Sequence, residues 1–243
     1  MSPIHKIYGL EGQVILNFSR YGNGKDVVFL HGWGGSINSF DFVGKQLSGY
    51  RITLLDLSGF GLSPEPSVPM GVSEYADEVI KTLNKLKVVD AIFVGHSFGG
   101  RVAIEIASRK PYVVNKLILV DSAGLKPRRK PSYYFKVAIH KFLKKIGKPG
   151  LKGSIDYAVL SPVMKMSFKK IVNYDQSSQL KNVICPTAIF WGKSDKETPP
   201  YMARKFKRKI KDSALFWLDG GHFAYVDDFG RFLHILKAFV EQE

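Results

Sequence analysis

The chain has 243 residues, 45% of them hydrophobic, one cysteine and a formal net charge of +15. That length and apolar content suit one large α/β domain, or one domain with an insertion, and exclude a disordered chain. The lone Cys185 excludes an intramolecular disulfide and a thiolate metal cluster, and the lack of a signal-like start or of an apolar run of about 18 residues predicts a soluble, cytoplasmic protein with no transmembrane segment.

Residues 4–20 read as an opening hairpin, Ile4 to Tyr8 and Val14 to Phe18, followed by a turn at Tyr21-Gly22-Asn23-Gly24. Val27-Val28-Phe29-Leu30 is a continuous apolar run, as expected of a strand covered on both faces, and it runs into His31-Gly32-Trp33-Gly34-Gly35. A short helix is predicted from Ser36 to Leu47 and a second buried strand from Arg51 to Leu57, ending in Ser58-Gly59-Phe60-Gly61. Ser73 to Leu86 is an amphipathic helix with Ser73 as its cap, its apolar residues Val79, Ile80, Leu83 and Leu86 falling at helical spacing. Further strands are predicted at Ala91–Val94, Lys116–Val120, Thr187–Gly192 and Ala214–Leu218. Helices are expected from Phe98 to about Arg109, from Pro199 to Lys209 and over Val226–Val240. Strands alternating with helices imply a doubly wound, mostly parallel sheet, whose chemistry gathers at the carboxyl ends of its strands. The alternation breaks once, at about 124–182.

Gly95-His96-Ser97-Phe98-Gly99 stands between a predicted strand and a predicted helix and matches G-x-S-x-G. A turn that sharp strains the serine backbone so that its hydroxyl projects above the sheet edge, and glycine flanks it where a side chain would clash. A serine hydroxyl is a poor nucleophile at neutral pH and needs a base, which in turn needs an acid to orient it. His222 follows the last strand on a Gly220-Gly221 loop and is the candidate base. Asp195, after the Trp191-Gly192 strand end, is the candidate acid, with Asp121 after the preceding strand as its rival; Asp56 reads as a structural hydrogen-bonding acid. Two amides should hold an oxyanion: Phe98, directly after the serine, and one from the His31–Gly34 loop, foremost Trp33. His31 and His96 read as bracing or packing residues. No His and acid cluster has ligand spacing, so no metal or organic cofactor is implied.

His31-Gly32-Trp33-Gly34, Asp56-Leu57-Ser58-Gly59-Phe60-Gly61-Leu62-Ser63, Gly95-His96-Ser97-Phe98-Gly99-Gly100, Trp191-Gly192-Lys193-Ser194-Asp195 and Gly220-Gly221-His222-Phe223 occur together in this order. In them the chain resembles the α/β-hydrolase superfamily, of the small esterase, C–C-hydrolase and lactonase type. The resemblance implies an eight-stranded, mostly parallel sheet with a helical cap between strands 6 and 7. It implies Ser97 as nucleophile, His222 as base and Asp195 as acid; Asp227 or Asp228 takes the place of the acid often found just after the histidine. Residues 1–123 and 183–243 would form the core, and 124–182 the cap.

Apolar residues of the insertion, among them Tyr134, Met164, Met166 and Phe168, suggest helices that roof the site and favour an apolar acyl group. Together with Trp33, Phe98 and Phe223 beside the serine, Tyr134 and Met164 are the candidate substrate contacts. Between Lys126 and Lys181 stand fourteen Lys or Arg and only Asp156 and Asp175, a net +12 of the chain's +15. This charge is either a solvated outer face or a dock for an anionic partner, such as an acyl carrier protein, an acyl-CoA phosphate or an acidic lipid surface. No nucleic-acid motif accompanies it, and few acids in the cap argue against an aminopeptidase. The expected activity is hydrolysis of a small-molecule carboxylic ester or thioester through an acyl-enzyme. A C–C bond hydrolase of a dienoic diketone and a small-ligand receptor on the same fold are the alternatives.

Overall fold

A computed structural model describes residues 16–127 and 159–242. Its centre is a seven-stranded sheet in the order β1-β3-β2-β4-β5-β6-β7. The strands are β1 (Phe18–Gly22), β2 (Lys25–Leu30), β3 (Tyr50–Leu55), β4 (Ala91–His96), β5 (Val114–Val120), β6 (Thr187–Gly192) and β7 (Ser213–Leu218). Only β1 runs antiparallel, pairing Phe18 with Leu55 and Gly22 with Arg51; the remaining pairings are parallel. The expected strand at Ile4–Tyr8, which would be the eighth, lies outside the described residues.

The apolar runs are continuous because both faces of the sheet are covered. Within β2, Val28 and Leu30 belong to one core while Val27 and Phe29 belong to the other, as a side-chain period of two requires. The first core is closed by α2 (Val72–Lys85), α3 (Phe98–Arg109), α4 (Pro162–Asn173) and α5 (Tyr201–Lys209). The second is closed by α1 (Asn38–Gly44), α6 (Ala224–Asp227) and α7 (Phe229–Glu241). Every residue of β4 and β6 is buried, so the segments leaving their carboxyl ends start from fixed points.

Two helix ends depart from the sequence reading. Helix α2 begins at Val72, capped at Gly71, whose N–H donates to Glu74 Oε2 at 2.9 Å. Ser73 is therefore inside the first turn, and its hydroxyl donates instead to Glu105 Oε1 at 2.7 Å. The C-terminal helix is broken at Asp228 (φ −120°, ψ 51°) into α6 and α7. The break turns two carboxylates back on the preceding loop: Asp227 Oδ2 accepts the Gly221 N–H at 2.9 Å, and Asp228 Oδ2 accepts the Asp219 N–H at 3.0 Å. That loop carries His222.

Candidate active site

Ser97 joins β4 to α3 with φ +48° and ψ −108°, a region that costs a non-glycine residue on the order of 1–3 kcal/mol. The surroundings hold it there. The Ser97 N–H donates to Val120 O at 3.0 Å, and Ser97 O accepts the N–H of Ala123 at 3.1 Å. A Cβ on Gly95 would stand 2.7 Å from Gly100 Cα, and one on Gly99 only 2.0 Å from Leu30 O, so the turn closes only with glycine at both positions. Phe98 opens α3, and the first amides of a helix have no intrahelical acceptor. The loop after β2 is braced by His31, whose Nδ1–H donates to Gly32 O at 2.7 Å while its Nε2 accepts the Leu57 N–H at 3.0 Å. Asp56 ties down the neighbouring segments, accepting from the Ile37 N–H at 2.7 Å and the Leu62 N–H at 2.8 Å.

His222 Nε2 lies 2.9 Å from Ser97 Oγ, and its Nδ1 lies 2.9 Å from Asp195 Oδ2. Asp195 also accepts the N–H groups of Glu197 (2.8 Å) and Thr198 (2.9 Å) and the Thr198 hydroxyl (2.6 Å). Burial works to raise the Asp195 carboxyl, but the hydrogen bonds from His222 and Thr198 hold it below the usual carboxylate value. Burial pulls the His222 imidazole down; the hydrogen bond and charge of Asp195, helped by Glu197 and Asp121, override it and raise its pKa. Such an arrangement can supply a base for the serine proton and a carboxylate to stabilise the resulting cation.

Asp121, the rival acid, is fully buried behind this pair and accepts the amides of Gly192 (2.7 Å) and Ala224 (3.2 Å), making no hydrogen bond to His222. Burial pushes its carboxyl up to about 7. His96 is pushed by burial down to about 3, so it is neutral, and its Nε2–H donates to His222 O at 2.7 Å.

Two cavities open at Ser97. One of about 510 Å³ is lined by Gly32, Trp33, Gly34, Ser39, His96, Phe168, His222 and Phe223. The other, of about 320 Å³, runs along the start of α3 past Phe98, Arg101, Leu125, Ile171, Val172 and Met202. Ser97, Trp33, Phe168, Glu197 and His222 border both.

Residues 26–144 match the family model described as the alpha/beta hydrolase fold. The chain belongs to the α/β-hydrolase superfamily. It is an enzyme, a hydrolase. The AB hydrolase superfamily protein YisY of Bacillus subtilis (strain 168) is 27% identical over 252 residues, covering 90% of this chain and 92% of that protein. A pimeloyl-[acyl-carrier protein] methyl ester esterase of Shewanella sp. (strain MR-7) is 39% identical over 108 residues, which is 44% of this chain and 39% of its own. An esterase of Exiguobacterium antarcticum shares the fold, with a TM-score of 0.76 at 23% identity over 93% of this chain and 96% of its own.

In this α/β hydrolase the structure brings Ser97, His222, Asp195, Trp33, Phe98 and Phe223 to one site. Met164 is a correction: it lines neither cavity. It is buried in the packing of α4, where a Cβ on Gly59 would stand 2.5 Å from its Cε. One turn on, Phe168 faces the site instead, 5.1 Å edge-on from the Trp33 ring. Tyr134 lies outside the described residues. Sequence reasoning missed Thr198, Glu197 and Arg101. A turn after Asp195 was a usable signal, since aspartate commonly accepts the backbone N–H two residues on, here that of Glu197, which brings Thr198 next to the carboxylate. Glu197 Oε2, 3.5 Å from His222 Nε2, gave no signal in the sequence.

Proposed function

We propose that this α/β hydrolase cleaves a carboxylic ester or thioester of a small to medium, largely apolar acyl group through an acyl-enzyme on Ser97. The observation that carries the reading is the continuous run from Ser97 Oγ to His222 to Asp195, each step 2.9 Å, opening on a cavity. Ser97 Oγ attacks the carbonyl carbon as His222 Nε2 takes its proton, and Asp195 stabilises the imidazolium. The amides of Trp33 and Phe98 hold the oxyanion. As the tetrahedral centre collapses, His222 gives the proton to the leaving oxygen or sulfur. A water then gives up a proton to His222 and attacks the acyl carbon, releasing the acid and restoring the Ser97 hydroxyl.

The apolar walls Phe98, Leu125, Ile171, Val172 and Met202 support an apolar acyl chain. The Shewanella relative, by its name an esterase of a methyl ester on an acyl carrier protein, supports the ester. In the same reading residues 124–182 form a cap over a core of 1–123 and 183–243. Its described helix α4 is tied to the core by Ser167, whose Oγ accepts the Met70 N–H at 2.9 Å, and by Lys170, whose Nζ donates to Pro69 O at 2.6 Å. The positive charge from Lys126 to Lys181 favours acyl groups delivered on an anionic carrier.

The test is hydrolysis of p-nitrophenyl esters from C2 to C12 by wild type and Ser97→Ala. The expected result is a chain-length optimum in wild type and a loss of about 10³-fold or more in the variant, with an unchanged melting temperature. Turnover by Ser97→Ala at the wild-type rate overturns the reading, as does a wild type that neither turns over esters nor is labelled at Ser97 by a fluorophosphonate.

A further inference from the structure

Arg101 lies one helical turn beyond the serine in α3, its N–H donating to Ser97 O at 3.3 Å. It is 5% exposed and lines the smaller of the two cavities. A guanidinium has five N–H donors and remains charged at neutral pH. Here one nitrogen, Nη1, donates to Tyr174 O at 2.6 Å, and among the described residues no other side-chain bond and no ion pair engages it. Glu105, at the i+4 position where a partner would stand, is saturated elsewhere. It takes the Ser73 hydroxyl at 2.7 Å, the Tyr174 hydroxyl at 3.1 Å and Gln176 Nε2 at 3.4 Å. Asp175 acts on Arg101 through its charge without forming an ion pair. Its remaining nitrogens are not among the fully buried unpaired atoms, so they open on the cavity, where a second acceptor can reach a cation whose hydration burial has reduced.

We propose that Arg101 receives a carboxylate carried by the substrate, so that the preferred esters have an apolar arm ending in a carboxylate. This deepens the ester-hydrolase reading and rests on it. The walls between Ser97 and Arg101, including Phe98, Leu125 and Met202, suit methylenes, and the planar fork of a guanidinium fits a carboxylate with two parallel hydrogen bonds. Among the described residues the charge on the wall fits a monoanion. Of the described residues lining this cavity Arg101 is the only Lys or Arg and Glu197 the only acid, and the Glu197 side chain is 70% exposed and screened by solvent.

The test compares kcat/KM for monomethyl esters of succinic to suberic acid with that for the neutral amide isosteres of the same length. A second arm compares carboxymethyl butyrate with carbamoylmethyl butyrate, so that a carboxylate on the acyl side is distinguished from one on the alcohol side. In wild type one arm is expected to favour the carboxylate by about tenfold to a hundredfold. In Arg101→Met that ratio falls towards one, and in Arg101→Lys it lies between. Because a ratio is read, a general loss from perturbed packing does not imitate the result, and the wild-type ratio needs no variant. In parallel, calorimetry measures binding of the preferred substrate from that series (monomethyl glutarate if no turnover picks one) to Ser97→Ala protein, with and without Arg101→Met, and expects weaker binding without the arginine. Ester turnover with ratios near one in wild type, or ratios unchanged in Arg101→Met, overturns the arginine site and leaves the hydrolase reading standing. Arginine-dependent binding without turnover of any ester overturns the hydrolase reading and leaves the site. Binding indifferent to Arg101 overturns the site whatever the turnover.

Discussion

At the scale of single residues, the site depends on a balance of charge around one imidazole. Asp195 sits on the side of Nδ1 and is held by three hydrogen bonds besides that of His222. Glu197 sits on the other side, 3.5 Å from Nε2, and raises the pKa of His222 by its charge. A negative charge there stabilises the imidazolium and so keeps the base protonated to higher pH. Replacing Glu197 by Gln removes that stabilisation. The acid limb of kcat/KM, which reports the free enzyme's base, is expected to move to lower pH. The Glu197 side chain is 70% exposed, so the displacement between wild type and Glu197→Gln should shrink in molar salt. A pH–rate profile for the two proteins at low and high ionic strength checks it, and superimposable acid limbs at low salt would show that Glu197 does not act on His222.

At the scale of elements, the strand–turn–helix about Ser97 is set by backbone approach. A Cβ on Gly99 would meet Leu30 O at 2.0 Å and Leu30 C at 2.5 Å, which are main-chain atoms of a central strand and cannot yield cheaply. Gly99→Ala is therefore expected to lose about 3 kcal/mol or more of stability. Gly230, exposed near the start of α7 with nothing within 4 Å of where a Cβ would stand, is the contrast: Gly230→Ala should gain about 0.5 kcal/mol. Thermal unfolding of both variants reads the difference, and similar melting temperatures would refute the steric account. Local chemistry of this kind is what the sequence made legible. Ser97, His222 and Asp195 stand near glycines at strand ends, and the parallel strands declare themselves by apolar runs, whereas the antiparallel β1, Phe-Ser-Arg-Tyr-Gly, has none and extends into the expected turn at Tyr21-Gly22. Arg101 was hidden because its surroundings come from segments far apart in the chain, as its bond to Tyr174 O shows, whereas Phe168 was named with the roof of the site and only its partner Trp33 was out of reach of the sequence. Met164 misled for the same reason: an apolar residue of the insertion can face the site or the core, and only the roll of α4 decides between them. The cap of α2 misled because Ser73, a good capping residue, found a carboxylate partner on α3 instead.

At the scale of the whole molecule, the second core ends at the site and gives the fold a pH dependence. His96 is 2% exposed at the carboxyl end of β4, its ring 5.0 Å from those of His222 and Phe223 and 5.3 Å from Tyr225. Burial lowers its pKa from 6.5 to about 3. Between those two values the unfolded chain binds a proton at this position and the folded chain does not, so folding loses stability as pH falls through that window. His31, also lowered by burial, adds in the same direction. Asp121 opposes them: raised from 3.8 to about 7, it binds a proton in the folded state where the unfolded chain does not, and so its contribution grows as pH falls from about 7. The opposing terms make the absolute pH profile a poor test and a difference between two proteins a good one. His96→Gln keeps a side-chain N–H for His222 O and removes the titrating ring. Its melting temperature should fall less than that of wild type between pH 7 and pH 4.5, whatever its value at pH 7. Parallel slopes for the two proteins over that interval would mean that His96 takes up its proton in the folded state, which its burial and the neighbouring His222 ring argue against.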